Sequence, residues 1–129
     1  MNSSSPPLRI FYLEDNPLIV FHIEAIIEDL GHVFAGSANS FAKLVGNFDA
    51  IDVDGVLVDI DLADGRTGPV AAKWLRDRGI PSIFVTGQEA IAAEHPETAL
   101  ATIGKPVSDT ELAEKLELFR RTKATSKTT

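Results

Sequence analysis

GVLVDIDLADG, residues 55–65, runs four small or apolar residues straight into three aspartates, Asp59, Asp61 and Asp64. A short apolar run bounded in this way reads as a strand buried on both faces. Its end then collects like charge, which is unfavourable unless something positive stands there. The same pattern recurs on either side. LRIFYL (8–13) is almost continuously apolar and runs into Glu14 and Asp15. Ile83 to Val85 runs into Thr86 and Gly87, and a weaker strand over 99–103 runs into Gly104, Lys105 and Pro106. Val33 to Ala35 makes one more short strand.

Helices fill the gaps. Asn16-Pro17 is an N-cap followed by proline at the first helical position. Ile19, Ile23, Ile26, Ile27 and Leu30 follow at helical spacing, and Gly31 ends the run. Phe41, Leu44 and Val45 suggest a short helix, and Val70 to Arg78 a longer one stopped by Gly79. Between Gly87 and Lys105, Pro96 interrupts the chain, so a fourth helix there is short or mobile. Ser108 and Glu111 form a capping box, Val107 and Leu112 a hydrophobic staple, and Leu112, Leu116 and Phe119 one apolar face.

Strand then helix, five times over, implies an α/β fold: a doubly wound five-stranded parallel sheet with helices on both faces. Residues 1–7 read as a loose arm, 8–121 as the domain and 122–129 as a disordered tail. In such sheets ligands bind beyond the carboxyl ends of the strands. That is where Glu14, Asp15, Asp59, Thr86 and Lys105 fall.

Composition narrows the choices. The length of 129 residues suits one domain with a true core. There are no cysteines, which excludes disulfides, thiol catalysis and cysteine-ligated zinc. No apolar run is long enough to span a membrane, and the N-terminus lacks a signal-peptide pattern, so a cytoplasmic protein is expected. The net charge is −7, but the last ten residues hold four basic groups and no acid, leaving −11 on the rest. Such a body repels phosphate backbones, and no nucleic-acid partner is expected.

Three clustered carboxylates do not all stay ionised without a cation. A hard divalent ion with oxygen ligands, magnesium above all, is the natural partner. A carboxylate can also attack phosphorus and become an acyl phosphate. Thr86, Lys105, backbone N–H groups and the metal would then supply donors and counter-charge to the phosphoryl oxygens.

YLEDNP (12–17), LVDIDLADG (57–65), FVTG (84–87) and GKP (104–106), in that order and each at a strand end, resemble the receiver domain of two-component response regulators, over roughly residues 8–121. The resemblance implies a flavodoxin-like receiver fold and a role for each site residue. Asp59 matches the phosphoacceptor. Glu14 and Asp15 match the acidic pair that holds magnesium, with Asp61 lending its backbone carbonyl. Thr86 matches the hydroxyl that follows the phosphoryl group and Lys105 the lysine that pairs with it, ahead of a cis bond to Pro106. The implied partners are a histidine kinase or phosphotransfer domain upstream and a further protein downstream.

The match departs from the family at Thr102, where receivers usually carry an aromatic residue. PSIFVTGQ (81–88) partly resembles the phrase PFxFATGY of a subgroup of single-domain regulators of alphaproteobacterial type, with departures that include Val85 and Gln88. That subgroup implies a kinase of the HWE or a related class.

The remaining residues have plainer expectations. Asp64-Gly65 reads as a turn. The Asp61 side chain should face solvent, although it and Gln88 could flank the phosphoryl group and tune attack by water. Arg66 reads as a solvated loop charge and Trp74 as packing its helix on the sheet. His22, His32 and His95 lack ligand spacing and read as ordinary surface or helix residues. Leu18 to Phe21 are four consecutive apolar residues, which one helix face cannot bury together, so part of the cluster should face outward beside the acidic site. The expected function is that of a stand-alone receiver. Two other classes compete with it: a receiver-shaped binding module that works without phosphorylation, and a small magnesium-dependent phosphohydrolase with Asp59 as nucleophile and Asp61 as general acid.

Overall fold

The computed structural model describes residues 6–50 and 52–128, with side chains described as far as Thr122 apart from Ala50. The element order is β1 (Arg9–Leu13), α1 (Pro17–Asp29), β2 (Val33–Ala38), α2 (Phe41–Gly46), a 3-10 turn (Phe48–Ala50), β3 (Gly55–Val58), α3 (Gly68–Arg76), β4 (Ser82–Thr86), α4 (Glu89–Ala92), β5 (Thr102–Gly104) and α5 (Asp109–Thr128). The five strands form one sheet in the order β2-β1-β3-β4-β5, and every pairing is parallel. This is the flavodoxin-like receiver topology expected from the alternating pattern.

The strands sort their side chains by parity. Ile10 and Tyr12 enter one core with Ile23, Ile26 and Ile27 of α1 and Leu112, Leu116 and Phe119 of α5. Phe11 and Leu13 enter the other with Leu44, Ala71, Ala72, Leu75 and Ala92 of α2, α3 and α4. A period of two in a strand buried on both faces gives this result. Gly55 lets Phe119 lie directly on the sheet: a Cβ there would stand 2.4 Å from the ring. Burying a phenylalanine side chain of this kind contributes about 2–3 kcal/mol.

Local signals set the helix ends. The Asn16 side chain accepts from Leu18 N–H at 3.0 Å, with Pro17 at the first helical position. Gly31 and Gly79 follow α1 and α3 with positive φ of 88° and 80°, where a residue without a Cβ is least strained. Ser108 Oγ accepts from Glu111 N–H at 3.1 Å, one half of the capping box, and Val107 and Leu112 meet in the same core.

α5 runs to Thr128; RTKATSK contains no glycine or proline to stop it. Strand boundaries need correction. β2 extends to Ala38 because its register shifts between Ile10 and Phe11 of β1 and then keeps pace to Leu13. β5 is confined to 102–104. Trp74 packs partly buried against the core on the α2 and α3 face of the sheet, as expected, and makes further contacts. Its ring meets Phe41 and Phe48 edge-on, at centroid distances of 5.9 and 4.8 Å, with the Arg78 guanidinium over it at 3.8 Å. It seals α3 to α2 and the 3-10 turn. Of the expected arm, residues 1–5 lie outside the described residues, while the Pro6 carbonyl accepts from Arg120 Nη1 at 2.7 Å. The helix after β4 is indeed short, at four residues.

Candidate functional site

The carboxyl ends of β1, β3, β4 and β5 converge. Backbone bonds fix the convergence: Asp59 N–H donates to the Leu13 carbonyl at 3.0 Å, Glu14 N–H to Ala38 at 3.1 Å, and Lys105 N–H to Thr86 at 3.1 Å. Glu14, Asp15 and Asp59 each offer a carboxylate oxygen, and these oxygens lie within 4.8 Å of one another. Lys105 Nζ bridges the cluster, at 2.7 Å from Glu14 Oε1 and 3.0 Å from Asp59 Oδ2. The peptide bond from Lys105 to Pro106 is cis.

Each site residue stands in a distinct environment. Asp59 is buried, its Oδ1 accepting from Ile60 N–H at 2.8 Å. Glu14 is buried too, and Oε1 also accepts from the Tyr12 hydroxyl at 3.1 Å while Oε2 accepts from Asn16 N–H at 3.1 Å. Tyr12 was not foreseen; only the two-residue offset along one strand, which puts it on the same side as Glu14, could have revealed it. Its pKa is pushed far up by burial and then by Glu14, so it remains a hydrogen-bond donor. Asp15 is exposed at the rim, and such burial as it has, followed by the neighbouring Glu14, raises its pKa. For Lys105, burial pulls the pKa down, but hydrogen bonds to Glu14 and Asp59 outweigh it and the net shift is upward. Thr86 is fully buried, its Oγ1 accepting from Gln88 N–H at 2.9 Å.

A hard, all-oxygen donor set with one exposed carboxylate suits magnesium, which binds through few protein ligands and keeps several waters. Glu14, Asp15 and Asp59 fit that role.

The Asp61 side chain is not part of this cluster, nor does it simply face solvent. It accepts from Arg66 Nε at 3.0 Å and from Gln88 Nε2, while Arg66 Nη2 donates to Gln88 Oε1 at 3.1 Å. Arg66 is therefore not a free loop charge. Its hydrogen bond and that of Gln88 lower the Asp61 pKa, and a carboxylate held ionised is a poor general acid. Asp64 also does more than turn the chain. The turn is there, closed by Leu62 and Gly65 with Gly65 at φ 105°. The Asp64 carboxylate accepts from Phe41 N–H and Ala42 N–H at 3.2 and 3.1 Å and from the Thr67 hydroxyl at 2.7 Å. With Ser40 Oγ accepting from Lys43 N–H, it completes the N-terminus of α2. Leu18 and Phe21 project from α1 at 79% and 72% exposure, while Ile19 and Val20 pack partly on the core.

Among known protein families, the response regulator receiver domain matches residues 10–117. The chain belongs to that family. Among curated proteins, this receiver is 37% identical over 102 residues to the phyllosphere-induced regulator PhyR of Methylorubrum extorquens, a match that covers 76% of the chain. The receiver spans only 38% of that relative's length. The PhyR receiver domain of Erythrobacter litoralis, solved in solution, superposes with a TM-score of 0.76 at 26% identity, covering 88% of this chain and 90% of that one. A crystal structure of a variant of the anti-anti-sigma factor PhyR from Bartonella quintana superposes at 0.73 with 30% identity, covering 86% of this receiver and 47% of that chain. These relatives accord with the PFxFATGY resemblance. Aligned with that phrase, Ser82 stands at its second position, where the phrase has phenylalanine.

Proposed function

We propose that this receiver accepts a phosphoryl group on Asp59 from a phosphohistidine of a kinase or phosphotransfer domain, and later releases it to water. The supporting observation is Lys105 Nζ bridging Glu14 and Asp59 beside the exposed Asp15. An Asp59 carboxylate oxygen attacks phosphorus, the P–N bond breaks, and the imidazole nitrogen keeps the electron pair and takes up a proton. In the return step water attacks phosphorus, the P–O bond to Asp59 breaks, and inorganic phosphate leaves. Lys105 stays with the acceptor and offsets the growing negative charge, and Thr86 places a hydroxyl at the same strand-end layer. Magnesium, when bound by Glu14, Asp15 and Asp59 with the Asp61 carbonyl, supplies positive charge for the phosphoryl oxygens.

Leu18 and Phe21, exposed on α1 within its first two turns after Asp15, offer the apolar surface for the phosphodonor protein. The partial PFxFATGY resemblance implies a kinase of the HWE or a related class, and the reading includes a downstream protein as the receiver of the signal, in the cytoplasm. The test is to weigh the intact protein after incubation with acetyl phosphate and magnesium, beside Asp59→Ala. Gain of one phosphoryl group by the wild type alone is the expected result. Magnesium binding without any gain, from acetyl phosphate or from a phosphorylated kinase, would leave a binding module that only has the receiver shape.

A further inference from the structure

α4 is four residues long, and its N-cap is Gln88. The Gln88 carbonyl accepts from Ile91 N–H and Ala92 N–H at 3.1 and 3.2 Å. So short a helix has no propensity reserve and stands or falls with its first turn. The Gln88 side chain does not cap it. It reaches across to the loop after β3, where it donates to Asp61 and accepts from Arg66, while Arg66 also donates to Asp61. Three side chains thus close a ring between two loops, and each is bonded to both others. The Gln88 main chain is tied the other way, its N–H donating to the buried Thr86 hydroxyl. One residue therefore joins the ring, the start of α4 and the hydroxyl at the site. The loop carrying Asp61 and Arg66 is anchored at its far end by Gly68 N–H on the Ile60 carbonyl at 2.9 Å, directly against the Asp59 main chain.

We propose that Asp61, Arg66 and Gln88 form a latch that holds the loop after β4 and the first turn of α4 in the unphosphorylated arrangement, and that phosphorylation of Asp59 opens it. Arg66 is a positioning residue here, with no part in the transfer itself. The opening force is electrostatic. Phosphorylation replaces the single charge of the Asp59 carboxylate by a phosphoryl group of about two negative charges, two positions from Asp61, and offers the Arg66 fork an alternative to a half-exposed carboxylate. Movement of the Thr86 hydroxyl toward that group draws on the same Gln88 that closes the ring. With Thr102 in the place of an aromatic residue, this ring is a side-chain connection between the loop after the acceptor strand and the start of α4. The opening step rests on Asp59 being the acceptor; the existence of the latch does not.

The experiment is amide hydrogen exchange resolved over residues 87–93, on the full chain, for wild type, Arg66→Gln, Arg66→Lys and Gln88→Ala, each before and after acetyl phosphate with magnesium. Without phosphodonor, Arg66→Gln and Gln88→Ala should speed exchange in this segment about three- to tenfold, the scale of a few half-exposed polar contacts, while β1 and β3 keep their protection. Arg66→Lys retains charge but not the fork and should restore part of the effect. Phosphorylated wild type should match unphosphorylated Arg66→Gln. Unchanged exchange in Arg66→Gln would overturn the latch. Faster exchange in Arg66→Gln but not in phosphorylated wild type would overturn its opening. Mass measured on the same samples reports whether Asp59 was charged, so failure of the acceptor reading is seen separately.

Discussion

Lys105 stands between two buried carboxylates, and its removal separates two effects. Lys105→Met leaves Glu14 and Asp59 facing each other without counter-charge, at a cost of about 1–3 kcal/mol to stability. Millimolar magnesium should recover part of that loss, as read from urea midpoints with and without the metal. His32 makes a second residue-level case. It was expected to be an ordinary histidine, but its Nδ1 accepts from Leu8 N–H at 3.0 Å. That bond needs the neutral ring. Burial and then Arg120 lower its pKa, against smaller upward pulls from Glu117 and Asp54. The unfolded chain then binds the proton more readily than the folded one. The contribution is complete above a pH of about 6.5 and is lost as pH falls from there through the depressed folded value. Urea midpoints should decline as pH falls below about 6.5, and His32→Gln should flatten that decline.

At the scale of elements, glycine at the start of α3 is decisive. A Cβ on Gly68 would lie 2.0 Å from the Asp59 carbonyl oxygen and 2.7 Å from Ile60 Cα. Backbone cannot yield as a side-chain tip can, so Gly68→Ala should displace the loop that carries Asp61 and Arg66. The expected result is a loss of about 1–3 kcal/mol together with slower labelling of Asp59 by acetyl phosphate; an unchanged rate would show that the helix start moves without the acceptor. The strands, the ends of α1 and α3 and the start of α5 were legible in the sequence because their signals are local: parity, caps, glycine stops. The strand-end acids, Thr86 and Lys105 were legible because motif order put them at one edge. Asp64 serving α2 and Tyr12 serving Glu14 were not. The first spans more than twenty residues, and the second requires knowing which buried hydroxyl meets which carboxylate. The ring of Asp61, Arg66 and Gln88 was half visible: two members were singled out, but the arginine that joins them read as solvated.

For the whole molecule, cation binding and stability are linked. If magnesium binds the folded site with a dissociation constant of about 1 mM, then about 10 mM metal adds about 1.4 kcal/mol, or roughly 3–6 °C in melting temperature for a domain of this size. Asp15→Asn should abolish that increment with little effect in its absence, since Asp15 is exposed; calorimetry over a magnesium series checks both. The Lys105 bridge has a further consequence, for biosynthesis. It joins residues separated by 91 positions in the chain, and β5 must dock before the lysine can arrive. Parallel pairings of such long range form late. The complete acidic site therefore exists only once nearly the whole sheet has assembled. A nascent or partly unfolded chain lacks the ammonium group that steadies Asp59, so under the proposed function acceptance of a phosphoryl group would wait on completion of the fold.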